Sequence, residues 1–273
     1  MRQVRGRGFL IAPVLLCLQG LLGGCSTPAT LSAREQYEPL PFGWERIGRA
    51  ARNAALAPET WVPVAGALGL QIGDADKKIQ AYAAQQTPVF GSQRKADLMS
   101  DDLKLASNAL WVASALAPAP GDEDGKWLGN KAKVVAVQAG AGMALSVTVG
   151  YLKDETKRMR PNDQGATSFP SDHASRSALH TTMTLRNVKG LGWSDSAVST
   201  TRIGLYSLTA ATAWARIEAN QHYPSDVLGG MALGHFFGAF FTGAFLGSHN
   251  PERVQVLFEP ARGRALLIVR LSY

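Results

Sequence analysis

Two stretches of about 20 residues carry almost no charge, and they limit what this chain can fold into. Residues 131–152 are uncharged after Lys133 and rich in Ala, Val and Gly, and residues 227–247 are rich in Gly and Phe. A run of this length can span a bilayer as a helix, but small residues also let helices pack closely in a soluble core. The mean hydropathy of the chain, −0.04, argues against several membrane crossings. We therefore predict two buried helices of a soluble bundle, with membrane-spanning helices as the alternative.

The first 24 residues are typical of a secretory signal. Three arginines in residues 1–8 precede a short apolar run over residues 9–22, and small residues follow. The apolar run is too short for a comfortable transmembrane helix. The sequence Leu22-Gly23-Gly24-Cys25 is similar to a bacterial lipobox. This resemblance implies cleavage before Cys25 and lipidation of that cysteine.

A lipidated Cys25 would hold the protein at a membrane, because two or more acyl chains on one residue give stable anchoring. In signals of this kind, Ser26 rather than an aspartate after the cysteine favours the outer membrane. We therefore predict a lipid-anchored protein of the bacterial cell envelope that faces the periplasm. An ordinary cleaved signal with an accidental cysteine is the alternative.

The remaining chain is predicted to form one domain. Residues 25–60 are interpreted as a lipidated tether and irregular lead-in, and residues 61–250 as the helical domain. Within residues 251–273, Val254, Val256 and Phe258 alternate with other residues, a turn follows at 260–264, and residues 265–271 are mostly apolar and branched. This pattern predicts a β-hairpin packed on the same domain. Both cysteines lie within the first 25 residues, so a disulfide framework is excluded for the folded body.

The net charge and the distribution of basic residues indicate which binding partners the chain can have. The net charge is +7, and part of it comes from the N-terminal arginines. This mild excess suits an anionic substrate or a membrane surface. No basic run with interleaved aromatic residues occurs, so nucleic acid is not a predicted partner. The oligomeric state does not follow from the sequence.

Two helices are predicted before the charged clusters of the chain. Residues 74–87 have apolar residues at helical spacing after a capping aspartate, either Asp74 or Asp76. A second helix is predicted over residues 95–115. Its Asp101-Asp102 pair is interpreted as a solvated first turn of the helix, not as a metal site.

The first charged cluster contains Lys153 and Arg160. Their spacing of seven residues is two helical turns, so we predict both cations on one helix face, with Pro161 ending the helix. Together they would bind a dianion. The structural alternative is a solvated basic helix end, which is also the reading given to Lys157 and Arg158.

The second charged cluster is Ser171-Asp172-His173, directly before a predicted helix. Backbone N–H groups at a helix start favour an anion, and the hydroxyl of Ser171 adds a donor. His173 is a candidate general acid because imidazole titrates near neutral pH. A simple N-cap at Ser171 or Asp172 is the alternative, and it is compatible with catalysis.

The third charged cluster contains Arg216, His222 and Asp226. A separation of four residues lets Asp226 accept a hydrogen bond from one nitrogen of His222, which would leave the other nitrogen as a nucleophile. Arg216 supplies a third cation. A structural His–Asp pair is the alternative. The surrounding cations oppose a divalent metal, so we predict neither a metal nor another cofactor.

The three clusters together resemble the signature of the type 2 phosphatidic acid phosphatase superfamily. This superfamily includes bacterial acid phosphatases, lipid phosphate phosphatases and vanadium haloperoxidases, and its pattern is K-x6-R-P, then P-S-G-H, then S-R-x5-H-x3-D. The matching residues are Lys153, Arg160, Pro161, Pro170, Ser171, His173, Arg216, His222 and Asp226. Two positions depart from the pattern: Asp172 replaces a glycine and Ala215 replaces a serine.

The resemblance implies a fold and a mechanism. It implies an all-α helical bundle in which His222 attacks phosphorus, Asp226 orients His222, and His173 protonates the leaving alcohol. It also implies a phosphate site, made by Lys153, Arg160, Ser171, the backbone of Asp172 and Arg216. The carboxylate of Asp172 must then point away from the anion.

The expected activity is a metal-independent phosphatase that acts on a lipid phosphate or a small soluble ester. The substrate is either a monoester or a diphosphate, and a tether alone does not decide between these substrates. One alternative is a vanadium haloperoxidase, which shares the same residues and would reveal itself by halide oxidation with bound vanadate. The other is a non-catalytic envelope lipoprotein.

Overall fold

The computed structural model describes residues 43–118 and 127–247, together with the backbone of residues 254–261 and 264–271. The predicted signal peptide and Cys25 lie outside the described residues. In the described part of the chain, the helices lie within residues 44–246, and these helices form the predicted all-α bundle.

The helices are named here in chain order. They are α1 (Trp44–Leu56), α2 (Pro58–Gly69), α3 (Ala75–Gln86), α4 (Gln93–Leu116), α5 (Trp127–Thr156), α6 (Asp172–Gly190), α7 (Asp195–Glu218) and α8 (Pro224–Phe241). A short 3₁₀ turn, Ile72–Asp74, precedes α3, and a π-helical turn, Thr242–Leu246, follows α8.

Local sequence signals set several helix starts. Ser92 and Ser194 cap α4 and α7, and their hydroxyls accept backbone N–H bonds from Lys95 and Ala197. Such caps satisfy donors that the first helical turn leaves unpaired. Pro224 occupies the first position of α8, where the missing N–H of proline has no cost.

Glycines allow a close contact between α6 and α8. A Cβ atom at Gly230 would lie 2.6 Å from the carbonyl oxygen of Ser171, and a Cβ at Gly234 would overlap the carbonyl of Ser175. Because neither glycine has a side chain, the two backbones approach closely. This contact holds the start of α6 against the start of α8, and both ends carry predicted site residues.

Buried aliphatic side chains fill the spaces between the central helices. One cluster joins α4, α6 and α7 and consists of Leu103, Leu110, Leu185, Leu205 and Leu208. Another joins α5 to α6 and consists of Ala141, Leu145, Val149, Leu179 and Met183. At about 1.5–3 kcal/mol for each fully buried large apolar side chain, these clusters are the main stabilisation of the bundle.

Helix α5 is less buried than the sequence predicted. Its outward face is apolar and exposed, and it includes Met143, Val147 and Tyr151. By length and composition, the segments Trp127–Thr156 and Pro224–Leu246 are each able to cross a membrane. A core helix of a soluble protein passes the same test, so the two helices are weak evidence for a membrane.

The helical body begins before residue 61. Residues 44–56, interpreted from sequence as part of an irregular lead-in, form α1, which packs against α8 and the π-helical turn. Helix α2 also packs on α8. The segment between the described start and residue 60 is therefore part of the bundle.

The C-terminal hairpin has regular antiparallel pairing. Strand β1 (Val254–Ala261) pairs with β2 (Arg264–Leu271), with Val254 opposite Leu271 and Ala261 opposite Arg264. This agrees with the hairpin predicted from the sequence. The packing of the hairpin on the helical domain stays a prediction.

Candidate active site

Four helix ends meet at one end of the bundle, and they bring the three charged clusters together. Lys153 lies in the last turn of α5, and Ser171 precedes α6. Arg216 lies in the last turn of α7, and His222 stands just before α8. The first half of α4, which sequence reasoning left out of the site, lies beside these ends.

His222 is almost completely buried, with 2% of its surface exposed. Its Nδ1 lies 2.7 Å from the carbonyl oxygen of Ser168. A carbonyl only accepts, so Nδ1 carries the proton and Nε2 carries the lone pair. Among the described residues, Nε2 has no hydrogen-bond partner. Burial lowers the pKa of His222 to about 4, so the ring is neutral at physiological pH.

Asp226 does not make the direct hydrogen bond to His222 that the spacing predicted. Its Oδ2 lies 3.9 Å from Nδ1, which is too long for a hydrogen bond. Instead, Oδ2 accepts from the hydroxyl of Ser168 at 2.6 Å and from the backbone N–H of Tyr223 at 2.8 Å. The carboxylate therefore holds Ser168, and the carbonyl of Ser168 orients the imidazole.

The Asp226 carboxyl is fully buried, and its charge is well compensated. Burial alone would raise its pKa. His222, the Ser168 hydroxyl and Arg158 outweigh the burial, so the pKa is lowered. Asp226 is therefore a carboxylate at physiological pH.

Arg158 is a half-buried structural hub, not the solvated helix end that the sequence suggested. Its guanidinium donates to Asp226 Oδ1 and to Asp76 Oδ2, both at 2.7 Å. It also lies over the ring of Tyr223, 4.4 Å from the centroid. Asp76 in turn accepts from the backbone N–H and the hydroxyl of Ser225, at 2.8 and 2.6 Å. This network fixes the first turn of α8.

Lys153 and Arg160 do not share a helix face. Helix α5 ends at Thr156, and Lys157 adopts a left-handed conformation with φ +44°. Arg160 therefore lies in the following loop, where its guanidinium donates to Gln221. Burial lowers the pKa of Lys153, and Arg160 and Arg216 act in the same direction against the attraction of Asp172. These electrostatic effects show that the cations converge on one region.

Two buried donors at this end of the bundle lack partners. The hydroxyl of Ser171 and the Nε of Arg216 make no hydrogen bond within the described protein. The other arm of Arg216 is held by Asp97 at 2.6 Å and Ser100 at 3.0 Å. Buried polar groups are nearly always paired in native structures. An oxyanion that binds here would satisfy both donors.

The carboxylate of Asp172 is paired with Arg176. Both of its oxygens lie 3.0 Å from Nε of Arg176, one turn along α6. The guanidinium also donates to Ser146 on α5. This ion pair compensates the negative charge that Asp172 brings in place of the glycine of the family pattern.

His173 meets two residues of α4 that sequence reasoning had not assigned to the site. Its Nε2 lies 2.7 Å from Asp101 Oδ1 and 3.1 Å from Lys104 Nζ. Burial lowers the pKa of His173, and Arg216 adds to this effect. The interpretation of Asp101 as a merely solvated first-turn residue is therefore wrong.

Polar residues at helical intervals mark the side of α4 that faces the site. Residues Asp97, Ser100, Asp101 and Lys104 recur at helical intervals, and all four contact Arg216 or His173. Polar residues at i, i+3, i+4 and i+7 lie on one helix face. This polar face is the sequence signal that could have assigned α4 to the site, although a solvent-exposed helix face has the same pattern.

A groove of about 250 Å³ lies between α4, α5 and α6. Its wall includes Trp111, Met143, Leu179 and Met183, and it also includes Arg176. Arg176 pairs with Asp172 at the start of α6, so the groove adjoins the region where the cations converge.

Among the described ranges, no three His, Cys, Asp or Glu side chains are grouped closely enough to hold a metal ion.

The model of the PAP2 superfamily matches residues 135–248 of this chain. The match contains all three charged clusters. This segment belongs to the PAP2 superfamily. Comparisons with curated proteins and with solved structures gave no match. Membership in the PAP2 superfamily supports a phosphatase-type activity, and it leaves the substrate open.

We expect the helical bundle to lose stability as the pH falls from about 6.5 to about 4. An unfolded histidine has a pKa of about 6.5, whereas burial lowers the pKa of His180 and of His222 to about 4. The unfolded state therefore binds more protons in this window, and acid favours it. The stabilisation is complete above pH 6.5.

Thermal unfolding measured between pH 7.5 and 4 tests this expectation. A His222→Asn variant removes one of the titrating rings, so its unfolding midpoint should fall less steeply with acid. Equal pH dependence in the two proteins would show that His222 does not titrate as its burial requires.

Proposed function

We propose that this chain is a metal-independent phosphatase that forms a phosphohistidine at His222. The arrangement of His222 is the observation that carries the proposal. The carbonyl of Ser168 holds the proton on Nδ1, so the lone pair of Nε2 is available, and Arg216 and Arg160 lie near enough to act on the ring. An oriented neutral imidazole beside an oxyanion site is what nucleophilic attack on phosphorus requires.

In the first step, Nε2 of His222 attacks phosphorus and the bond between phosphorus and the leaving oxygen breaks. His173 gives that oxygen a proton. Lys153, Arg160 and Arg216 stabilise the charge on the equatorial oxygens, because preorganised cations in a dry site act strongly on developing charge. The unpartnered hydroxyl of Ser171 and the backbone at the start of α6 complete the oxyanion site.

In the second step, water attacks the phosphohistidine. The neutral His173 takes a proton from the water, the phosphorus–nitrogen bond breaks, and phosphate leaves. His222 returns to its neutral form with the proton on Nδ1. Asp226 keeps Ser168, and through it the ring, in one orientation during both steps.

The substrate class in this proposal is a phosphate monoester or a diphosphate with either an apolar or a small leaving group. The groove beside Arg176 favours an apolar group, because its lining includes Trp111, Met143 and Leu179. The proposed location is the bacterial cell envelope, with a lipid anchor at Cys25 and the active site facing the periplasm. The lipobox-like sequence supports this part of the proposal.

Phosphate release by the full chain, purified in detergent, tests the proposal. The substrates are an aryl phosphomonoester, phosphatidic acid and an isoprenyl diphosphate, each with and without EDTA. We expect release from at least one substrate, unchanged by EDTA, and an acid-labile, base-stable phosphoryl label on the protein. The proposal fails if a folded protein releases no phosphate, or if EDTA abolishes release. Halide oxidation after loading with vanadate would favour the haloperoxidase instead.

A further inference from the structure

The general acid of the proposed mechanism has two charged neighbours on the same ring nitrogen. Nε2 of His173 lies 2.7 Å from the carboxylate of Asp101 and 3.1 Å from the ammonium of Lys104. The carboxylate and the ammonium lie 3.6 Å apart. All three residues face one another at the junction of α4 and α6.

A single imidazole nitrogen makes only one of these hydrogen bonds at a time. With a proton on Nε2, the ring donates to Asp101, which only accepts when ionised. Without that proton, Nε2 accepts from Lys104, which only donates. The two neighbours therefore favour opposite states of the same nitrogen.

We propose that Asp101 is the positioning residue of His173, and that Lys104 opposes it. This inference rests on the proposed phosphatase function and adds two residues to it. With Asp101 holding the proton on Nε2, the other ring nitrogen, Nδ1, is the one that exchanges protons with the substrate. Among the described residues, Nδ1 has no hydrogen-bond partner.

The proton count is balanced over the two chemical steps. His173 begins as an imidazolium, with Nε2–H on Asp101, and Nδ1 gives its proton to the leaving oxygen. The ring is then neutral and keeps Nε2–H on Asp101. Nδ1 next takes a proton from the attacking water, which restores the imidazolium. Asp101 stays ionised throughout.

Lys104 explains how the imidazolium is kept acidic enough to give up its proton. The charged groups that face His173 are Asp101 and Lys104 on α4 and Arg216 on α7. Asp101 raises the pKa of His173, whereas burial, Arg216 and Lys104 lower it. Removal of Asp101 and removal of Lys104 should therefore shift the protonation of His173 in opposite directions.

Asp101→Asn and Lys104→Met variants of the full chain test the inference, with Asp102→Asn as the matched control. Asp102 is the next residue of α4, is also exposed, and makes no described contact with His173. We expect Asp101→Asn to lower kcat for an alkyl phosphate by about 10²-fold, the lower range for general acid catalysis. The loss should be smaller for an aryl phosphate, whose leaving group needs less protonation.

The pH profile separates a positioning role from a structural one. The limb at which kcat/KM falls with rising pH should move to lower pH in Asp101→Asn and to higher pH in Lys104→Met. Asp101→Glu should recover part of the lost activity, and Asp102→Asn should match the wild type. Limbs that move together, or an Asp101→Asn variant that behaves as Asp102→Asn does, would overturn the inference.

An NMR titration of the histidine rings gives a readout that does not depend on activity. The resonance lost in His173→Gln identifies His173, and its pKa should fall in Asp101→Asn and rise in Lys104→Met. Opposite shifts without phosphate release would support the charge pair and refute the phosphatase. Phosphate release without opposite shifts would refute only the role of Asp101 and Lys104.

Discussion

Replacing His222 with asparagine is expected to lower the rate of phosphate release by about 10⁴-fold or more, the scale on which nucleophile replacements act. The asparagine amide nitrogen lies near the position of Nδ1, so it can still donate to the carbonyl of Ser168. The variant therefore keeps the buried hydrogen bond and loses only the lone pair of Nε2. Initial rates on the best substrate of the wild type provide the measurement.

The matched control is His235→Asn. His235 also lies on α8, but its Nδ1 contacts Thr60 of α2 and no site residue. We expect this variant to keep activity within a few-fold of the wild type and to show no loss of the phosphoryl label. If His222→Asn keeps more than a tenth of the activity, or still acquires the label, His222 is not the nucleophile.

Replacing Arg158 with methionine is expected to reduce the free energy of unfolding by about 3 kcal/mol or more. The change leaves Asp76 and Asp226 without their cation, and both carboxylates are buried. Removing one partner of a buried ion pair is costly because the remaining charge is no longer compensated. The expected fall in the unfolding midpoint is roughly 6–12 °C for a domain of this size.

Lys157→Met provides the control, because it removes one positive charge from the neighbouring position. Lys157 is exposed and has no described side-chain partner. Its effect on stability should lie within about 0.5 kcal/mol, as for surface substitutions in general. Thermal and urea unfolding measure the free energy of unfolding of both variants. Equal stabilities would show that Arg158 is the solvated residue that the sequence first suggested.

The sequence predicts the fold class and the convergence of the charged clusters, because the information is local. Helical periodicity and helix breakers lie within a few residues of one another. The signature that joins Lys153 to Asp226 has fixed spacings, so it can be recognised without a structure. The hairpin was also predictable, since an alternating segment, a turn and a branched apolar segment follow one another directly in the sequence.

The sequence could not show the partners of those residues. The hydrogen bond from His222 goes to a backbone carbonyl, and every residue has one, so Ser168 gives no side-chain signal. Arg158 and Asp76 are 82 positions apart, and their ion pair depends on how the loop after α5 packs against α3. Contacts of this kind follow from tertiary packing, and no spacing rule connects them.

The charged residues that complete the site lie in part outside the segment that defines the family. The PAP2 match begins at residue 135, whereas Asp76, Asp97, Asp101 and Lys104 precede it. A gene fragment trimmed to residues 135–248 would therefore encode His173 and His222 without Asp76, Asp97 and Asp101, which pair with Arg158, Arg216 and His173. Expression boundaries for this protein should start no later than Trp44, where the described bundle begins.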